Sequence, residues 1–179
     1  MLGVSALILA GGKATRMGGV AKHELLIEGR TIFERQVAVL APRVDEVIVS
    51  GVEIAGYRSV LDELGGGPLA GIHAGLALAE TWLLVIAGDM PYITGELIDR
   101  LLGARGPEFD AVAFRVGDRP EPLCSLLHVR TRAAVERRLA AGMYKASGLL
   151  TDEGLRVRWL TDADPEALRN LNSPSDLDR

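Results

Sequence analysis

The sequence predicts an α/β sandwich of three layers, a mostly parallel sheet of about seven strands with helices on both faces. Three observations carry that prediction. Apolar runs of strand length alternate with segments of helical period. Several of those runs are apolar throughout, as strands covered on both faces are. Helix start and stop signals fall between them.

In chain order, the first strand is Ser5–Leu9, followed by a long glycine-rich connection. Thr31-Ile-Phe-Glu34 then reads as a capping box, in which Thr31 accepts from the Glu34 backbone N–H and Glu34 reaches back. The helix it opens is stopped by Pro42. Strands follow over Glu46–Ser50 and Ser59–Leu61. A second helix starts after Gly67-Pro68 and runs to Glu80, with Leu69, Ile72, Leu76 and Ala79 on one stripe. After the strand Trp82–Ala87, Thr94 caps a third helix that ends near Gly103. The remaining elements are strands over Ala111–Arg115, Leu123–Leu127 and Val157–Leu160, and a helix over about Arg130 to Ala141. With 179 residues and no long linker, residues 1–179 are expected to form a single domain, with a small lobe over 117–155.

Composition narrows the function classes. The net charge is −4 and the pI about 5.4, which argues against a generic nucleic-acid binder, since a duplex-binding surface needs a basic excess. Attraction for an anion must therefore be local. One cysteine, Cys124, excludes an intramolecular disulfide, and its apolar strand makes it a small buried hydrophobe. The apolar run Val4 to Ala10 lacks a basic flank and is too short to span a bilayer. A soluble, cytoplasmic protein without membrane contact is expected. His23, His73 and His128 have no metal-ligand spacing, and His73 is expected to be structural.

The connection from Leu9 to Thr31 is unusually long for an α/β unit, and such loops tend to be functional. Gly11 and Gly12 let the backbone approach a ligand, and consecutive N–H groups can form an anion-binding nest. Arg16 and Lys22 add fixed positive charge, one as a planar fork and one as a point charge. Neither the Walker spacing nor the GxGxxG order is present in GGKATRMGG. Asp62 and Asp89 each follow a predicted strand. If both strands are parallel, both carboxylates lie at carboxyl ends, on the ligand-binding edge of an open α/β sheet. A carboxylate beside a bound polyphosphate requires a cation between them, and Mg²⁺ suits one or two carboxylates plus phosphate oxygens. Asp62 also reads as an ordinary turn carboxylate before Gly65-Gly66-Gly67.

LAGGKATRMGGVAK, Leu9 to Lys22, resembles the signature of the nucleotidyltransferases that activate molybdopterin, and most closely that of the molybdenum cofactor guanylyltransferases. The resemblance continues through GPLAGI at Gly67–Ile72, GDMPYI at Gly88–Ile93, the RPEPL turn at Arg119–Leu123 and NLNSPSDL at Asn170–Leu177. It implies a Rossmann-like fold and transfer of GMP from GTP to the phosphate of Mo-molybdopterin, with release of pyrophosphate. It also implies residue roles. The backbone of Leu9, Ala10, Gly11 and Gly12 holds the nucleotide, Arg16 and Lys22 the triphosphate, and Asp89 the Mg²⁺. Asp62 lies at the nucleotide, Arg119 on the acceptor side, and Asn170 and Asn172 near the pterin. Protein partners implied are those that deliver molybdopterin and mature molybdoenzymes.

Two positions depart from the pattern. Ala21 stands where an Asp often precedes the lysine, and Ser50 where an Asn tends to contact the base. LAGG, where related cytidylyltransferases resemble LAAG, tilts the base toward guanine. The alternatives are a CTP-dependent molybdopterin or sugar-phosphate cytidylyltransferase, and a non-catalytic nucleotide- or cofactor-binding chaperone.

Overall fold

The computed structural model describes residues 2–11, 21–61 and 67–171. Arg16, Gly12, Asp62 and Asn172, and most of the NLNSPSDL segment, lie outside the described residues.

Seven strands make the main sheet: β1 (Val4–Leu9), β4 (Glu46–Ser50), β5 (Arg58–Val60), β6 (Trp82–Ala87), β7 (Ala111–Val116), β8 (Arg119–His128) and β9 (Val157–Leu160). Their order is β5-β4-β1-β6-β8-β7-β9. All pairs are parallel except those of β8, which runs antiparallel to both β6 and β7. Two-residue strands β2 (Leu26–Ile27) and β3 (Arg30–Thr31) form a separate hairpin. Its turn passes through Glu28 and Gly29, both at positive φ.

The helices are α1 (Ile32–Leu40), α2 (Pro68–Leu78), α3 (Gly95–Gly103), α4 (Arg132–Ala140) and the short α5 (Leu149–Asp152). Thr31 caps α1 through a reciprocal box with Glu34, and the Thr94 hydroxyl accepts from the Leu97 N–H at the start of α3. Alternation along β1 sorts the core into two layers. Val4, Ala6 and Ile8 face the cluster that holds Phe33 and Leu40 of α1 and Leu97 and Leu101 of α3. Leu7 faces the cluster of Leu69, Ile72 and Leu76 of α2, Val135 of α4 and Leu150 of α5. Burial at about 25 cal/mol per Å² of apolar surface drives both layers together.

Beyond shifts of one or two residues at other element ends and the unexpected β2–β3 hairpin, the fold departs from expectation in three places. The second helix ends at Leu78, short of Glu80. The RPEPL segment is strand rather than turn, because β8 starts at Arg119, directly after a tight hairpin in which Gly117 has φ +58°. Pro120 and Pro122 are accommodated because pairing to β6 begins only at Cys124, so the missing N–H groups interrupt no ladder on that flank. Residues 117–155 do not form a separate lobe. β8 pairs in the middle of the sheet, and α4 and α5 contribute to the layer that α2 covers.

Candidate functional site

Four parallel strands, β5, β4, β1 and β6, end at one edge of the sheet. The chain leaves that edge at Leu9-Ala10-Gly11, Ser50-Gly51 and Ala87-Gly88-Asp89, and these segments wall a cavity of about 610 Å³. Lys22 and His23, in a 3₁₀ turn over Lys22–Glu24, close one side; Gly67 and Pro68, at the amino end of α2, and Leu123 of β8 complete the lining.

Glycine shapes this edge by letting main chain meet main chain. A Cβ on Gly51, which has φ +89°, would lie 2.3 Å from the Gly11 Cα, and one on Gly88 would lie 2.6 Å from the Leu9 carbonyl oxygen. The Ser50 carbonyl accepts from both the Ala10 and the Gly11 N–H, and Gly88 N–H donates to Leu9 O at 3.0 Å. Backbone is thereby packed flat beneath the cavity, with little side chain above it. α2 is seated equally closely, since a Cβ on Gly71 would lie 2.4 Å from the Ser50 Oγ. Its amino end, with Gly67 at φ +67° and Pro68 in the first turn, adds partial positive charge at the wall.

Across this edge Lys22 Nζ donates to Asp89 Oδ2 at 2.8 Å, joining residues 67 apart in sequence. Their side chains are 28% and 18% exposed, so the pair faces the cavity without being sealed from water. A pair this accessible contributes on the order of 1 kcal/mol to folding, too little to explain it as a staple. Asp89 itself is carried on a turn fixed from three sides. Gly88 N–H reaches β1, Leu171 N–H donates to the Asp89 carbonyl at 2.8 Å, and Gln36 Nε2 of α1 donates to Ala87 O and Met90 O at 2.8 and 3.0 Å.

Leu9, Ala10, Gly11, Lys22, Ser50 and Asp89, named from sequence, thus meet around one cavity. Arg119 and Asn170 do not line it. Arg119 is exposed at the start of β8, and Asn170 lies one residue before Leu171 with a buried Oδ1 that has no partner among the described residues. Cys124 is fully buried, and burial pushes its thiol well above the usual range. His73 bridges helices, its Nε2 3.0 Å from Glu136 Oε1.

Sequence reasoning missed His23 and Gln36. His23 lines the cavity while 7% exposed, with Nδ1 unpartnered among the described residues, and nothing in its local pattern marks it. Gln36 carried a usable signal, a polar residue on the otherwise apolar stripe Ile32, Phe33 and Leu40.

Among the described residues, Asp89 is the one carboxylate that lines the cavity, and no group of three or more His, Cys, Asp or Glu suited to a metal occurs. That donor set fits a hard cation that takes one protein oxygen and fills its shell from phosphate and water, as Mg²⁺ does.

Comparison with known proteins agrees with this geometry. The family model described as MobA-like NTP transferase domain matches residues 6–165. A molybdenum cofactor guanylyltransferase of Pseudomonas putida strain F1 is 35% identical over 97% of this chain and 95% of its own length. One from Vibrio cholerae is 33% identical over 97% of this chain and 89% of its own. Among solved structures, molybdopterin-guanine dinucleotide biosynthesis protein A from Archaeoglobus fulgidus superimposes with a TM-score of 0.80 at 25% identity, covering 97% of this chain and 95% of that one.

Proposed function

The chain belongs to the MobA-like NTP transferase family, and from that premise we propose that it transfers GMP from GTP to the terminal phosphate of Mo-molybdopterin, releasing pyrophosphate. The observation that carries this reading is the meeting of Lys22 and Asp89 at 2.8 Å beside the bare backbone of Leu9–Gly11. A cation donor, an acidic ligand and exposed main chain at the carboxyl edge of a parallel sheet are what a nucleoside triphosphate needs. The relatives' names supply the guanine and the pterin.

In this reading Leu9, Ala10 and Gly11 present the floor against which the nucleotide lies, and Ser50 and Gly51 border the base side. Gly12 is assigned to the nucleotide, Arg16 to the triphosphate and Asp62 to nucleotide positioning; all three lie outside the described residues. Lys22 leaves Asp89 to hold phosphate oxygen, and Asp89 would hold Mg²⁺. When bound, that ion neutralises charge on the reacting phosphates. An oxygen of the pterin phosphate attacks the α-phosphorus in line; the bond from the α-phosphorus to the bridging oxygen breaks, and its electron pair leaves with pyrophosphate. The attacking phosphate is already anionic near neutral pH, so the protein's part is to orient the groups and balance charge, and no dedicated general base is needed. Arg119, Asn170 and Asn172 belong to the acceptor side. No helix among the described residues is long and apolar enough to cross a membrane. A cytoplasmic enzyme that meets molybdopterin-delivering and molybdoenzyme-maturing proteins transiently completes the proposal.

The test is pyrophosphate release with Mo-molybdopterin, Mg²⁺ and either GTP or CTP. Release with GTP and little with CTP is expected. Preference for CTP overturns the base assignment, and nucleotide binding without release overturns the transferase assignment.

A further inference from the structure

Gln36 is fully buried on the face of α1 that also buries Ile32, Phe33 and Leu40. An apolar side chain of the same length would suit that face better. Its Nε2 makes two hydrogen bonds, to Ala87 O at 2.8 Å and to Met90 O at 3.0 Å, and these carbonyls bracket Gly88-Asp89. Its Oε1 is buried with no partner among the described residues. The amide cannot be turned over to relieve that oxygen, because an oxygen would then face two carbonyl oxygens. A buried acceptor left unmatched is costly and calls for a reason. The turn supplies one. Gly88 N–H and Leu171 N–H hold it through main chain, and the remaining Met90 N–H to Ala87 O contact is long at 3.3 Å. Gln36 is the one side chain, among the described residues, that ties both ends of the turn to the helix layer.

We infer that Gln36 is a positioning residue, which sets the place of the Asp89 carboxylate against Lys22 and the cation by clamping the two carbonyls around it. The inference rests on the reading of Asp89 given above. Gln36 touches no substrate; it acts by fixing the backbone from which Asp89 projects. A carboxylate one residue from an unclamped turn can move by an ångström, a displacement that costs on the order of 100-fold when groups must be aligned for in-line transfer.

The test compares the parent with Gln36→Met, which keeps length and removes both donors, and with Gln36→Glu, which keeps shape and at most one donor. Three readouts are taken: steady-state kinetics with GTP, Mn²⁺ binding with GTP present followed by the electron paramagnetic resonance of free Mn²⁺, and hydrogen exchange of the amides of residues 87–92. For Gln36→Met, kcat is expected to fall about 30-fold with KM for GTP changed less than about threefold. Mn²⁺ binding should weaken about tenfold, and exchange over 87–92 should quicken about tenfold while other protected amides are unchanged. Gln36→Glu faces a carboxyl oxygen toward the same two carbonyls, so it should lose at least as much as Gln36→Met, and it carries the same three readouts if Gln36→Met does not fold. A folded variant with parental kcat, Mn²⁺ binding and exchange overturns the inference, as does faster exchange with parental kcat. Asp89→Asn, measured in parallel, separates the two claims: transfer that survives it defeats the assignment of Asp89 itself, whereas loss in Asp89→Asn with parental behaviour in both Gln36 variants defeats only the role of Gln36.

Discussion

Asp89 and Asp110 occupy opposite edges of one sheet, and the two carboxylates are used in opposite ways. Asp89, after the carboxyl end of β6, has one side-chain partner among the described residues, Lys22, and looks into a cavity. Asp110, before the amino end of β7, is saturated: Arg130 Nε and Arg156 Nη2 donate to one oxygen, the Arg156 backbone N–H and Nε to the other. Burial raises the Asp110 pKa, but the hydrogen bonds from the Arg156 side chain and backbone and from Arg130 outweigh it and bring it to about 2. A carboxylate with every lone pair taken fastens β7, β9 and the 3₁₀ turn that precedes α4 together. One left with open coordination at a cavity is available for chemistry. The surrounding regions follow suit: the Asp89 half of the sheet is joined by backbone approaching backbone at glycines, whereas the β7–β9 half is held by side chains such as Arg115 over Trp159 and Arg158 over Phe109.

The largest effect that can break this contrast is on turnover. Asp89→Asn should lower kcat for pyrophosphate release by about 10³-fold, with the melting temperature moved by only about 3 °C, because the pair it disrupts contributes little to folding. Lys22→Ala should lower kcat/KM by about 10²-fold with a similarly small stability change. Gly51→Ala moves both quantities. Its Cβ would meet Gly11 main chain at a backbone conformation that L residues avoid, so about 3 kcal/mol of stability should be lost in denaturant titration, and nucleotide affinity with it.

Asp110→Asn should do the reverse of Asp89→Asn. kcat should stay within about twofold, while stability drops on the order of 1 kcal/mol once solvent screening is allowed for. The pH dependence has a definite sign. The folded pKa lies below the unfolded value of 3.8, so Asp110 stabilises fully above pH 4, and that contribution disappears as pH falls from there toward 2. Acid titration of the parent and of Asp110→Asn, followed by circular dichroism, should converge over that interval. Parallel curves would show that Asp110 is no staple.

The same contrast explains what was legible in the sequence. The glycine-lined edge was readable in its residue types: Gly11 lies against the Gly51 main chain where a side chain would crowd it, and the opposite charges of Lys22 and Asp89 meet there. The strands Glu46–Ser50 and Trp82–Ala87 were readable from uninterrupted apolar runs, and the α1 and α3 starts from Thr31 and Thr94. The far half was harder. β8 hid its first residues behind Pro120 and Pro122, because pairing on one flank only is invisible to a pattern of hydrophobicity. β2 and β3, two residues each, are too short to have a period. Asp110 reads as one acid among many until folding brings Arg130 and Arg156 to it. Gln36 was in plain view as a polar residue on an apolar stripe, and only the turn it holds gives that anomaly a meaning.

The central claim is that Lys22 and Asp89 converge in order to receive a metal-bearing triphosphate. Its most direct measurement is the separation of Lys22 Nζ and Asp89 Oδ2 in crystals grown with GTP and Mg²⁺. The account predicts that the 2.8 Å contact opens, with Lys22 on phosphate oxygen and the ion on Asp89. A contact that stays closed while the nucleotide lies elsewhere would contradict it.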